Sequence, residues 1–268
     1  MHLSACIEML FVKETDNSAE RIRLAAGAGF DAVEFWRWTN KDLTAIERAL
    51  AETSVTLAGI VAEPMIPLTD PASHPSFLAG LADTLAVAKR LGARVLITQA
   101  GFEASSRPRA EQRASLVYCL KRSADVLEGS GVQLALEPLN TRIDHPGYFL
   151  SSTVEGLDII DEVSRPEIRL TYDIYHSMVM DERVEDVLAG RIDRVAHVHV
   201  ADHPGRGEPG SGSLPLGAAT AWLDAQGYAG TIGFEFRPTV DTVSVVSHAR
   251  SALGLASAAP ETSLSPCA

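Results

Sequence analysis

Residues 194–201 read RVAHVHVA, and residues 202–213, which follow directly, read DHPGRGEPGSGS. The first segment is a short β-branched run whose successive side chains fall on opposite faces, so His197 and His199 share one face. The second is dense in proline and glycine, the residues that turn a chain. A strand closed by such a turn admits three readings: a metal site, a phosphate cradle or a flexible turn.

Seven further runs of the same kind occur along the chain: LSACIEML, DAVEFW, SVTLAGIVA, ARVLITQA, VQLALEP, EIRLTYD and TIGFEF. Between them lie amphipathic stretches such as SAERIRLAAGAG and VEGLDIIDEVS. The first of these opens at Ser18 with Glu20 close behind and closes on glycine, as helix ends prefer. Alternating strands and helices in eight pairs predict an α/β fold, a single (β/α)8 TIM barrel, over residues 1–253. An open doubly wound sheet would need a glycine-rich turn after an early strand, and DAVEFWRWTNKD has none. Residues 254–268, ending ASAAPETSLSPCA, are small, polar and proline-punctuated, and read as a short, flexible, disordered C-terminal tail.

The 268 residues are 46% hydrophobic and 22% charged, with a net charge of -12, values that suit a globular enzyme with a sizeable core. The acidic balance argues against nucleic acid or an anionic membrane as partner, since clustered lysine and arginine meet those surfaces. Cys6, Cys119 and Cys267 are widely spaced and odd in number, which suggests neither a disulfide framework nor a zinc ribbon. The start MHLSACIEML lacks a basic segment followed by a long apolar one, so a reduced, cytoplasmic protein is expected. A homodimer or homotetramer is the expected assembly.

In such a barrel the active site lies at the carboxyl ends of the strands. Glu137 ends the fifth run, Asp173 the sixth, and His199 and Glu235 nearly end the seventh and eighth. Any one carboxylate there reads as an ion-pair or cap partner, but four titratable groups on consecutive strands point to a cation, because crowded, desolvated carboxylates repel one another. Three oxygen ligands and one imidazole suit Mn2+, Mg2+ or Co2+, and the nitrogen favours Mn2+ over Mg2+. His197 reads as an interior histidine or as support for a ligand from behind. The loop lacks the lysine and Ser/Thr of a nucleotide-binding P-loop, which leaves His199 as a metal ligand and the loop as a cover over the site.

LEPLNTR around Glu137, YDIYH from Tyr172 to His176, ADHPGRGEPGSG from Ala201 to Gly212 and GFEFRP around Glu235 together resemble the hydroxypyruvate isomerase family, with its 2-oxo-tetronate isomerase relatives, in the xylose isomerase-like barrel superfamily. The resemblance implies that Glu137, Asp173, His199 and Glu235 bind one divalent ion and that Glu137 and Glu235 are the catalytic acid/base pair. It also implies that His176 and Arg206 contact substrate oxygens; without it they read as a helix-start cap and a solvated loop arginine. Three features depart from the pattern. His199 stands where these isomerases carry glutamine and ketose 3-epimerases carry histidine, NTRIDHPGYF is one residue longer, and EFWRWTNKD sets two tryptophans beside the second strand.

The activity so implied is isomerisation of a small hydroxy-carbonyl compound, hydroxypyruvate to tartronate semialdehyde, by proton transfer through a metal-bound enediolate. Arg206, Arg142 or Arg37 could face the substrate carboxylate, and Trp36 and Trp38 could stack on a sugar or pack at the rim. A ketose 3-epimerase is the alternative that keeps the mechanism. An abasic-site endonuclease would use histidines around the second to fourth strands, and DAVEFW, LAGIVAEP and LITQAG have none. A sugar-binding barrel without catalysis would not require two flanking glutamates.

Overall fold

The computed structural model describes residues 1–255. Eight parallel strands close into a barrel in chain order: β1 (His2–Cys6), β2 (Ala32–Phe35), β3 (Thr56–Val61), β4 (Val95–Thr98), β5 (Gln133–Leu136), β6 (Ile168–Asp173), β7 (Val195–Val200) and β8 (Thr231–Phe234). Pairing of His2 with Thr231 through Ala5 with Phe234 closes the ring. Two irregularities interrupt the ladders, between Val33 and Glu34 on the β2–β3 seam and between Leu170 and Thr171 on the β6–β7 seam. The predicted barrel is therefore present, and each of the eight runs contains a strand. The first run overreaches: β1 stops at Cys6, whose carbonyl accepts from the amides of Met9 and Leu10 in a turn.

Helices α1 (Ser18–Gly27), α2 (Leu43–Thr53), α3 (His74–Leu91), α4 (Arg109–Leu127), α5 (Thr153–Val163), α6 (Ile174–Val179), α7 (Val184–Val187), α8 (Leu216–Ala225) and α9 (Thr242–Ala252) connect the strands. Side chains placed just before a helix satisfy its first free amides. Asn17, not Ser18, caps α1, accepting from the Glu20 amide, and Asp42 and Ser152 cap α2 and α5. The main hydrophobic core fills the layer between helices and barrel. From residue 256 onward the expected tail, and with it Cys267, lies outside the described residues. Among the described residues, no helix is long and apolar enough to cross a membrane.

Branched aliphatic side chains usually fill the inside of such a barrel. Here only one half follows that rule, where Val61, Val95, Ile97 and Ala135 cluster on β3, β4 and β5. The other half holds buried Ser4, Glu34, Thr171 and His197, which form a polar floor beneath the strand ends.

Candidate active site and metal centre

The four candidate ligands reach the same point because each occupies the last inward position of its strand. The backbone amide of Glu137 bonds to the Thr98 carbonyl at 2.9 Å, and that of Glu235 to the Val200 carbonyl at 3.2 Å, continuing the ladders past β5 and β8. Asp173 ends β6 and caps α6, its Oδ1 accepting from the His176 amide at 3.0 Å, while Oδ2 lies 3.6 Å from His176 Nε2. Glu137, Asp173, His199 and Glu235 are all buried, and one candidate ligand atom from each lies within 4.8 Å of the others.

This donor set fits a divalent ion. His199 Nδ1 stands 2.8 Å from Glu137 Oε1 and 3.7 Å from Glu235 Oε2, and adjacent ligands about 2.1 Å from one small ion are themselves about 3 Å apart. The electrostatics agree. Burial pushes the Asp173 carboxyl up to about 7, with Glu137 and Glu235 adding to the rise against the pull of Arg206 and His199. Glu137 goes the other way: burial opposes its charge, but the His199 imidazole prevails and holds it down to about 2. A cation amid these groups removes the cost of keeping all the carboxylates charged.

A second cluster lies directly beneath. Glu34 on β2 places Oε2 2.8 Å from His197 Nε2 and Oε1 3.0 Å from His199 Nε2, so that a buried carboxylate faces both rings at ion-pair distance. Nδ1 of His199, on the Glu137 side of the ring, is the nitrogen grouped with the strand-end carboxylates. Room for this arrangement comes from β8, where a Cβ on Gly233 would stand 2.4 Å from Glu34 Oε1 and 2.8 Å from His199 Cδ2.

The loop after β7 is built on one carboxylate. Asp202 accepts from the amides of His203, Gly210, Gly212 and Leu214 at 2.8–3.1 Å, which folds the segment over the site and sends Arg206 inward. Arg206 contacts Glu235 Oε2 and lies 5.6 Å above the Tyr175 ring. Burial works against its charge, yet the carboxylates of Glu235, Asp173 and Glu137 raise its pKa further. The other oxygen of Glu235 accepts from the Trp36 indole at 2.8 Å, and Glu137 Oε2 accepts from the Gln99 amide at 3.0 Å.

His176 sits at the pocket floor with its ring bonded to Asn140, and burial pushes its pKa down to about 3. The structure thus brings together every residue expected at the site, Glu137, Asp173, His199, Glu235, His176 and Arg206. It leaves out Arg142, which pairs with Asp181 and the Val179 carbonyl, and Arg37. Of the two tryptophans, Trp36 lines the pocket while Trp38 donates to Thr84. Glu34, Gln99, Asn140 and His145 were not expected from the sequence. A charged residue inside the apolar run DAVEFW was the one available signal, for Glu34.

The profile of the xylose isomerase-like TIM barrel family matches residues 22–253. The hydroxypyruvate isomerase of Escherichia coli strain K12 is 29% identical over 249 residues, covering 90% of this chain and 95% of its own. A human protein named provisionally as a hydroxypyruvate isomerase is 33% identical over 264 residues, covering 94% of this chain and 95% of its own. Among solved structures, an AP endonuclease of family 2 from Brucella melitensis superposes with a TM-score of 0.86 at 27% identity, covering 92% of this chain and 98% of that one.

Proposed function

This chain belongs to the xylose isomerase-like TIM barrel family and is an isomerase, and from that premise we propose that it interconverts hydroxypyruvate and 2-hydroxy-3-oxopropanoate, tartronate semialdehyde. One divalent ion, Mn2+ or Mg2+, is held by Glu137, Asp173, His199 and Glu235 in this reading. The observation that carries it is the division of the pocket. Phe35, Val61, Met65, Ile97 and Leu139 form an apolar wall. The same pocket is lined by carboxylates, His176 and Arg206, the one arginine or lysine among the described lining residues. A three-carbon hydroxy-oxo acid matches this layout: its carboxylate meets the guanidinium, and it brings no further hydroxyls for the apolar wall to leave unpaired.

When bound, the ion stabilises negative charge developing on the substrate oxygens. The rest falls to side chains. Strands β5 and β8 stand three steps apart around the eight-stranded ring, so Glu137 and Glu235 flank a planar intermediate. One glutamate removes a proton from C3 of hydroxypyruvate, leaving an enediolate. A proton is then returned at C2 while the hydroxyl proton passes from O3 to O2. Arg206 engages Glu235 in this structure; a substrate carboxylate competes for the guanidinium and frees the Glu235 carboxylate, which Trp36 still orients.

The test is proton NMR in D2O with Mg2+-loaded enzyme, offered hydroxypyruvate, fructose, tagatose, psicose and ribulose in separate samples. Conversion of hydroxypyruvate faster than any ketose supports the assignment. A second reading, a ketose 3-epimerase, is favoured by His199 as fourth ligand, and deuterium exchange at C3 of a ketose alone would establish it in place of the first. The activity named for the Brucella structure does not suit this pocket. The pocket wall from β2 to β4 contributes no histidine among its described lining residues, and the net charge of -12 opposes a DNA surface.

A further inference from the structure

The Asn140 amide is oriented without ambiguity. Its Oδ1 accepts from the backbone amides of Ile143 at 3.1 Å and Asp144 at 3.0 Å, which identifies the oxygen end. Its Nδ2 therefore donates both remaining bonds, to Asp144 Oδ2 at 2.7 Å and to His176 Nδ1 at 2.6 Å. The backbone N–H of Asn140 approaches the same Nδ1 at 3.2 Å. A ring nitrogen facing two N–H donors offers its lone pair and carries no proton. The proton of the neutral ring is then on Nε2, a buried atom with no hydrogen-bond partner among the described residues, 3.6 Å from Asp173 Oδ2. The Tyr175 hydroxyl donates to Asp144 Oδ2 at 2.7 Å and helps to keep that carboxylate in place as an acceptor for Asn140.

We propose that Asn140, backed by Asp144 and Tyr175, is a positioning residue that locks His176 in the Nε2–H tautomer, making His176 a fixed, neutral hydrogen-bond donor to the substrate and never a base. This rests on the reading above that a hydroxy-carbonyl compound reacts between Glu137 and Glu235. The group it recognises is an acceptor oxygen that gains negative charge during the reaction. A lone pair at Nε2 would repel that oxygen, and a charged ring would pair with Asp173 and compete with the cation. A neutral donor held in place before the substrate arrives does neither, and one such donor is worth about 10²- to 10³-fold in turnover. The lock bridges two loops of the barrel, since Asn140 follows β5 and His176 lies in α6.

The tautomer is read directly by two-bond proton–nitrogen correlation on 15N-histidine-labelled enzyme, metal-free and Mg2+-loaded, with the His176 signals identified by their loss in His176→Gln. The expected wild-type pattern is Nε2–H at neutral pH. Asn140→Asp sets a carboxylate against Nδ1; the pattern should switch to Nδ1–H and kcat should fall about 10²-fold with KM little changed. If that variant does not fold, the wild-type spectrum and a pair of His176 variants decide instead. His176→Gln, which keeps an amide donor, should retain about ten times the kcat of His176→Leu. An Nδ1–H or doubly protonated ring in the wild type, or equal kcat in the two His176 variants, overturns the proposal. Because the spectra need no substrate, an enzyme inert toward hydroxypyruvate and every ketose with His176 in the Nε2–H form would overturn the functional reading and support the lock.

Discussion

Glu34 Oε1 lies 3.0 Å from His199 Nε2, across the imidazole from the Nδ1 that stands 2.8 Å from Glu137 Oε1. The carboxylate stands where a partner supporting a metal-bound imidazole would stand, and partners of this kind are worth about 10- to 100-fold in metal affinity. Glu34→Ala should weaken Mn2+ binding by that factor in a chelator competition measured without substrate. Unchanged affinity would mean that the ring is held by its strand alone.

In the proposed mechanism Glu137 and Glu235 carry the proton transfers, so Glu137→Gln and Glu235→Gln should each lower kcat by about 10²- to 10⁴-fold. Circular dichroism should stay unchanged. Near-normal turnover in either variant would remove that glutamate from the mechanism.

Replacing Arg206 by methionine deletes the cation proposed to face the substrate carboxylate and frees Glu235 Oε2. KM for hydroxypyruvate should rise by about 10-fold or more, the loss of one charge-assisted contact. A neutral hydroxy-ketone should be affected far less. Equal effects on both compounds would argue that Arg206 serves Glu235 alone.

Gly233→Ala introduces a methyl group 2.4 Å from Glu34 Oε1. Forced overpacking of this kind costs about 1–3 kcal/mol, and here the displaced group is the support of His199. Chemical denaturation should report the loss of stability, and metal affinity should fall with it; a fully stable variant with normal metal binding would contradict the close approach.

Burial pushes the Cys119 thiol up to about 12, even though its hydrogen bond with Ser123 favours the thiolate. A group whose folded-state pKa is raised contributes stability that is complete below its unfolded value, about 8.5 for cysteine, and is lost as pH climbs toward the folded value. Between pH 8.5 and 11 the denaturation midpoint of the wild type should therefore fall more steeply than that of Cys119→Ala. Parallel curves would show that the thiol takes no part.

All eight strands could be found in the sequence because parallel strands covered on both sides read as short apolar runs. That same property hid Glu34. All four residues of β2 are buried, so no alternation singles out the inward one, and its partners lie on β7, more than 160 positions away. The four strand-end ligands could be picked out because the last inward position of consecutive strands is countable. Choosing among the arginines was not possible: Arg142 is only five positions from Glu137, yet it turns outward to Asp181, while Arg206 is drawn in by a loop folded on Asp202. Asn140 stood in a quoted motif, but its meaning depends on a ring 36 positions on.

The separation of the pocket into an apolar wall and a charged wall also bears on how such a protein diversifies. Strands β2 to β4 and their loops supply most of the apolar lining, whereas β5 to β8 supply the groups proposed to move protons and hold the cation. Gene duplicates could exchange Met65, which is exposed at the pocket, for a polar residue and admit a longer, hydroxylated substrate without touching the glutamates, whereas Val61 and Ile97 also fill the barrel. Selection can then act on substrate range and on chemistry as two independently mutable traits, which makes this half-apolar barrel a ready starting point for directed evolution toward new hydroxy-carbonyl compounds.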